Sequence, residues 1–448
     1  MADLILQQTS FRSLAPELAT EIWSYLPLRS MTAVLLVSQI WKKVAEEAPY
    51  LWTNIVFGPA ATPHDLLVAK QWLTRSKHLL LSVTIERDLT KTEGSDRVVV
   101  PVADILSTIR PTSTRIQTFV LRGPHTAWSA VQGLLGASFP VLQTLIVILD
   151  PHWITIVHEH AAPSNGTPAF HPVDLPLLRT LHLSRFSILW PSECSHLTEI
   201  VLGHVSTLNA TLVQLKTALE SLPALERLGF YQQILGLDAT ALAVDISIFL
   251  PSLTALSFRH TPPSCFRPFI SLLDIPRFND LTIALDEPQW SEDENASDLL
   301  LQLQDPFIAH RLRKLSIQSL AHPCDTAFFT SFPALDTLGL DFSLTALTKE
   351  YWVALVDRTV AAPQALPNLR KVTLVDVHPT HAQQLILLRD QAGQARLESL
   401  QLFLAHESAT TARKPKWSAW LAKHVNFFRI GEFASTLEPR KGRGAFEV

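Results

Sequence analysis

The side chains able to do chemistry are sparse in this chain, and their spacing brings few of them together. His158-Glu159-His160 sets two imidazoles two residues apart. On a helix such a pair faces different directions, so it is not a zinc-binding helix and reads as a polar loop leading into the Pro163-Ser-Asn-Gly166 turn. His378 and His381 flank Pro379 at a helix start without a third ligand nearby, which makes them capping or solvated groups rather than metal ligands. The three cysteines, Cys194, Cys265 and Cys324, fit no CxxC or metal-knuckle spacing. Sparse, unpaired thiols of this kind point to a reducing compartment. No nucleophile elbow, phosphate-binding glycine loop, dinucleotide fingerprint or HExxH helix occurs. The run from Asp286 to Glu294 reads as a solvated acidic insertion, and the basic tail around Arg443 as a frayed terminus. The expectation is a non-catalytic protein with no cofactor and no metal.

Composition narrows the class further. Leucine supplies 73 of 448 residues and glycine only 14, and charged residues make up 17%. A disordered chain needs the opposite balance. The formal net charge of −4 gives no basic excess for nucleic acid or a membrane surface. The N-terminus lacks a basic region ahead of a long apolar run, so it does not read as a signal peptide. The uncharged stretch from Val131 to Leu149 is interrupted by Phe139-Pro140 and several polar residues, and reads as core rather than a membrane span. The protein is expected to be intracellular, in cytoplasm or nucleus, with no nucleic-acid or membrane partner.

The first fifty residues have a helical texture. Leu14, Leu18, Ile22 and Leu26 recur every four residues, which is one face of a helix. Pro16 sits in its first turn, Glu17 and Glu21 favour its positive end, and Pro27 ends it. A second helix is expected from Ser30, which can cap it, and a third from Ser38 to Glu47, carrying Ile40, Trp41 and Val44 inward and stopped by Pro49. Three short helices in about forty residues bury too little to stand alone. They need a partner or a docked neighbour.

These residues resemble the F-box family. The resemblance rests on Leu14-Ala-Pro16-Glu17-Leu18, Ile22-Trp23-Ser-Tyr-Leu26-Pro27, Val37-Ser38-x-x-Trp41-Lys42 and the following Leu51-Trp52. Ala15 stands where the family usually has its first proline, Trp23 replaces phenylalanine, and Ser30-Met31 replaces Asp-Leu. The resemblance implies docking on the Skp-type adaptor of a cullin–RING (SCF) ubiquitin ligase. Leu14, Pro16, Leu18, Ile22, Leu26 and Val37 would form the docking face, and Trp41 would hold the helices together.

The rest of the chain repeats an apolar-x-x-apolar-x-apolar hexad, often preceded by proline. Copies begin at Ile116, Leu142, Leu178, Leu197, Leu225, Leu253, Phe278, Leu312, Leu335, Leu369 and Leu397, with a degenerate one near Leu80. Their mean spacing of about 28 residues falls within the leucine-rich-repeat period. Each hexad ends in period-two alternation, a short strand with one buried face. Between hexads the period turns helical, as in Leu208, Leu212, Leu215, Leu219 and Leu222 before Pro223. Strands so connected must pair in parallel through crossovers. The family's Asn or Cys after the hexad is missing, since Asp150, Phe186, Val205 and Gln233 stand there, so the repeats should be irregular. A (β/α)₈ barrel alternates similarly, but it has eight units and clusters chemistry after its strands.

The fold expected is therefore α/β. A three-helix F-box over 1–57 and a linking helix over 58–75 precede an irregular leucine-rich-repeat solenoid over 76–430, with a tail over 431–448. Parallel strands would line its concave side, with helices and loops on the convex side. Trp417, Trp420, Phe427 and Phe428 are expected on a capping helix that closes the array. The outward strand positions, chiefly Arg122, His182, Arg227, Tyr231, Arg259 and Lys314, would bind an unknown target protein. The same face carries Glu199, Gln318, Asp341, Lys371 and Phe403. The function expected is target recruitment for an SCF-type ubiquitin ligase. The alternative is a leucine-rich-repeat scaffold, or a binding protein, with no role in ubiquitination.

Overall fold

The computed structural model describes residues 15–26, 28–87, 99–123, 127–149, 169–170, 175–184, 187–188, 194–205, 212–234, 247–259, 261, 266, 269–284, 296–318, 326–342, 366–405 and 415–433. The chain divides into two units, Met1–Leu197 and Thr198–Val448. Both are α/β with parallel strands. In each, strand order follows chain order, and the described pairings do not close on themselves as a barrel would.

The first unit opens with helices α1 (Pro16–Ser24), α2 (Leu28–Val37) and α3 (Gln39–Glu47). Proline in the first turn of α1 costs no helical hydrogen bond, because that N–H has no partner in any helix. Ser38 caps α3 by accepting from the Trp41 N–H at 3.1 Å. Ser30, expected to cap the second helix, lies inside α2, which begins two residues earlier. The helices close over Trp23, Met31, Val34, Ala45, Leu51 and Trp52, and Trp72 belongs to the same cluster. Trp72 comes from α4 (Pro63–Arg75), which Thr62 and Asp65 start with reciprocal capping bonds. The Trp52 indole N–H donates to the Ala45 carbonyl at 2.9 Å, and the Trp52 and Trp72 rings meet edge-on at 5.1 Å. Arg75 stands over the Trp52 ring and pairs with Glu46 at 3.0 Å. The three helices therefore share one core with the helix that follows them.

Only Thr53 separates the end of that cluster from the first strand, β1 (Asn54–Phe57). It pairs with β2 (Leu81–Glu86), then β3 (Ile116–Gly123), β4 (Thr144–Leu149) and the strand Thr180–Ser184. One face of these strands is apolar throughout, for example across Ile55, Val83, Phe119, Leu145 and Leu181, each 1% exposed or less. Burying each such side chain stabilises the unit by about 1.5–3 kcal/mol.

Among the described residues the second unit carries nine parallel strands of five or more residues, Glu199–Val205, Arg227–Ile234, Ala255–Arg259, Asp280–Ala284, Lys314–Gln318, Thr337–Asp341, Lys371–Val375, Ser399–Ala405 and Phe427–Phe433, and a separate parallel pair of two-residue strands, Ile248–Phe249 and Leu273–Asp274. Every hexad ends in one of the strands of the two units, including the degenerate copy at Leu80. Apart from four two-residue strands, Ala169–Phe170, Ser187–Ile188, Ile248–Phe249 and Leu273–Asp274, two described strands fall outside the hexads. One is β1. The other is Phe427–Phe433, which corrects two expectations. Phe427 and Phe428 lie on a strand and not on the helix Pro415–His424 that holds Trp417 and Trp420, and the strand runs three residues into the segment read as a tail. The pair Asn426-Phe427 begins a strand because its backbone N–H groups find the carbonyls of Leu397 and Glu398.

The approach to most strands is the same. An apolar residue, usually followed by proline, starts a turn whose fourth residue is again apolar, as in Phe139–Leu142, Leu222–Leu225, Leu250–Leu253, Ile275–Phe278 and Phe332–Leu335. Proline presets the backbone at the second turn position, and both apolar ends are buried. Two successive N–H groups then donate to one carbonyl of the preceding repeat: Glu226 and Arg227 to Thr198, Thr254 and Ala255 to Glu226, Asp336 and Thr337 to Arg313. The backbone supplies here the inter-repeat contact for which no Asn or Cys is present. Arginines add to it. Arg115 donates to Leu73 O, and Arg396 to Ala422 O and Val425 O. Arg389, 5% exposed, donates to Leu369 O and Ala395 O, and its burial pulls its pKa below the usual arginine value.

Candidate functional site

Two surfaces carry the residues singled out from the sequence. The first is on α1. Its buried side is Ala19, Thr20 and Trp23, while Leu18 and Ile22 are 57% and 49% exposed. Pro16 is exposed as well, and Leu26, in the turn after the helix, continues the stripe. Leu14 lies outside the described residues. Val37, at the end of α2, is exposed together with Leu36, and Ile40, expected to face inward on the third helix, is 69% exposed beside them. Spacing of four along α1 keeps Leu18, Ile22 and Leu26 on one side, so the stripe follows from the sequence. Trp41 packs against the helical core, with its ring 5.1 Å from that of Trp23. Clustered exposed apolar side chains of this kind suit contact with another apolar surface better than they suit chemistry.

The second surface is the outward face of the strands. In the second unit, register places Arg227 beside Ala255 and Tyr231 beside Arg259, and Lys314 beside Asp280 and Thr337. The structure thus brings Arg227, Tyr231, Arg259 and Lys314 onto one face. Arg122 and His182 belong to the first unit, on β3 and on the strand after β4, where His182 is half-buried beside Ile146.

Three of the bases on these faces are paired with acids. Arg227 meets Glu199 at 2.6 Å, Lys314 meets Asp280 at 2.9 Å, and Arg122 meets Glu86 at 3.9 Å. In each pair the acid is on the preceding strand, which offsets these three charges locally. Two further outward positions differ from expectation. Gln318 and Asp341 are buried, each 8% exposed, so the strands Lys314–Gln318 and Thr337–Asp341 are enclosed on both sides, unlike Ala255–Arg259. Phe403 remains half-buried, its ring lying on the bare backbone of Gly431.

Of the groups weighed for chemistry in the sequence, only some fall within the described residues. His378 is the N-cap of the helix Pro379–Gln391, accepting from the Thr380 N–H at 3.3 Å. His158–His160, Cys265, Cys324 and Asp286–Glu294 lie outside them, as does the tail from 434. Among the described residues no group of three or more His, Cys, Asp or Glu could hold a metal ion, and no helix is long and apolar enough to cross a membrane. No protein-family model matches this chain, and no curated protein is significantly similar to it in sequence.

Proposed function

We propose that the chain is the target-recruiting subunit of an SCF-type ubiquitin ligase, an F-box protein with a degenerate leucine-rich-repeat array. The observation that carries the reading is the α1 stripe. Leu18, Ile22 and Leu26 face outward while Trp23 closes the core on the other side, which is what helices that dock on another protein require. Their order along the chain, with Val37-Ser38-x-x-Trp41 and Leu51-Trp52, is that of the F-box pattern. The parallel strands and their repeat spacing support the array. In this reading the stripe binds the Skp-type adaptor, the cullin–RING ligase is reached through it, and the outward strand face holds the target. The chain performs no catalysis; it raises the local concentration of the target near the transferred ubiquitin.

A second reading has its own support. The core of α1–α3 includes Trp72 of α4, as it would if the helices served only to cap a repeat scaffold. Co-expression with a Skp-type adaptor separates the two. Stable co-purification that is lost on Leu18→Asp/Ile22→Asp supports the ligase reading, and absence of any complex with the wild-type chain supports the scaffold.

A further inference from the structure

The strand order of the second unit ends on Phe427–Phe433, which pairs on one side with Ser399–Ala405 and on the other with no strand among the described residues. A free edge of this kind presents unpaired backbone groups, and proteins blunt it with short strands, proline, bulges or charge. Here the edge is seven residues long, its register runs unbroken from Phe427 to Phe433, and it contains no proline. The Phe427 N–H donates to Glu398 O. In a parallel ladder each residue turns both backbone groups to one neighbour, and successive residues alternate. Phe427, Arg429 and Gly431 therefore face Ser399–Ala405, while Phe428, Ile430 and Glu432 turn their N–H and C=O groups to the open side.

The side chains at this edge are accessible as well. Phe427 is 57% exposed. Phe428 and Ile430 lie in the rows of Leu400 and Leu402, which are 0% and 1% exposed, yet both are only half-buried. One further strand would pair the free backbone groups and cover these two side chains together, which is the closure a repeat array needs at its end. Charge selects among the strands that fit. Arg429 is exposed, and the helix Pro415–His424 before it brings exposed Lys416 and Lys423 and no acid. A second copy pairing edge to edge would bring like charges together, and like charges across a strand pair are destabilising. The chain's own residues from 434 on carry Arg440, Lys441 and Arg443 against Glu438 and Glu447, so their charge favours them no better. An acidic segment is complementary.

We propose that the edge strand Phe427–Phe433 captures an extended acidic segment of a partner protein by adding it to the sheet. The added strand exchanges main-chain hydrogen bonds with Phe428, Ile430 and Glu432, about six in all. Its side chains on one face cover Phe428 and Ile430, and acidic side chains on the other face meet Arg429. Successive strand residues point to opposite faces, so the recognised pattern alternates apolar and acidic residues. Affinity comes from the backbone and the apolar contacts, and selectivity from the charge. The proposal goes beyond the ligase reading: a repeat scaffold has the same edge, and the test does not involve the adaptor.

The test selects linear twelve-residue peptides by display on the full chain and titrates the enriched ones by fluorescence anisotropy, with melting temperatures measured in parallel. Ile430→Pro removes one N–H from the open side and sets a ring in the path of an added strand, whereas Ile430→Ala removes the same side chain and keeps the N–H. The enriched peptides should alternate apolar and acidic residues. Ile430→Pro should bind them at least about tenfold more weakly than Ile430→Ala, and Arg429→Glu at least about fivefold more weakly than the wild type. The melting temperature of Ile430→Pro should be no lower than that of Ile430→Ala, because the lost N–H makes no ladder bond. A lower value would place that N–H within the ladder and overturn the proposal. So would equal binding by the two variants, indifference to Arg429→Glu, or enriched peptides without acidic residues. The absence of any enriched peptide would show that the chain itself covers the edge. A dimer of the full chain in sedimentation that Ile430→Pro dissolves would give the edge to a second copy. Either result overturns the proposal as well.

Discussion

Replacing Gly229 by alanine tests the strand register on which the outward face depends. A Cβ built there lies 2.5 Å from Ser257 Oγ and 2.9 Å from Val201 Cγ2. Both neighbours come from strands flanking Arg227–Ile234, so the contact exists only if Val201, Gly229 and Ser257 are aligned as observed. The serine hydroxyl has room to rotate, but the β-branched valine is stiff at χ1. Overpacking of this kind costs about 1–3 kcal/mol. Against it stands a gain of about 0.4–1 kcal/mol from the reduced freedom of the unfolded chain. The net is a loss of about 1–2 kcal/mol. Equilibrium urea unfolding should show it as a lower midpoint with an unchanged slope. Ser257→Ala alone should be nearly neutral, and in combination should restore part of the loss, a coupling of about 0.5–1 kcal/mol. If Gly229→Ala matches the wild type, or if Ser257→Ala does not couple to it, the register is wrong.

Leu181→Ala and Leu338→Ala, each removing a buried hexad leucine, should each cost about 2–5 kcal/mol in the same assay. Arg75→Ala removes both the Glu46 pair and the cation over Trp52, and should speed hydrogen exchange in α3 and α4 while leaving the strands of the second unit as they were. Glu220 accepts hydrogen bonds from Lys216 and from the Phe249 N–H, which hold its carboxyl below the usual carboxylate range. Its contribution is present above the unfolded value and lost as pH falls through the lower folded one. The stability difference between wild type and Glu220→Gln should therefore be constant near neutrality and disappear only in acid, below about pH 4.

What could be read from the sequence followed from local pattern. The hexads marked their strands because alternation at period two needs only six residues, and the Ser38 cap and the Leu18–Ile22 stripe are equally local. The two longer strands missed, Asn54–Phe57 and Phe427–Phe433, lack the leucine hexad, and the second carries aromatic residues that also suit a helix face. Contacts across repeats were not legible. Glu199 and Arg227 are 28 residues apart, and Asp280 and Lys314 are 34 apart. Their pairing depends on register, which irregular repeat lengths conceal. The local offset of Arg227 by Glu199 and of Lys314 by Asp280 was therefore hidden in the sequence. The burial of Gln318 and Asp341 escaped for another reason. Period-two alternation reports one buried face and is silent about what encloses the other.

Calorimetric titration of the full chain with a purified Skp-type adaptor reads the proposed docking of the α1 stripe without intermediate steps. The wild type should bind saturably and one to one. Leu18→Asp/Ile22→Asp should weaken binding at least a hundredfold, with an unchanged melting temperature because both side chains are exposed. No measurable binding by the wild-type chain, or equal binding by the variant, would contradict the docking.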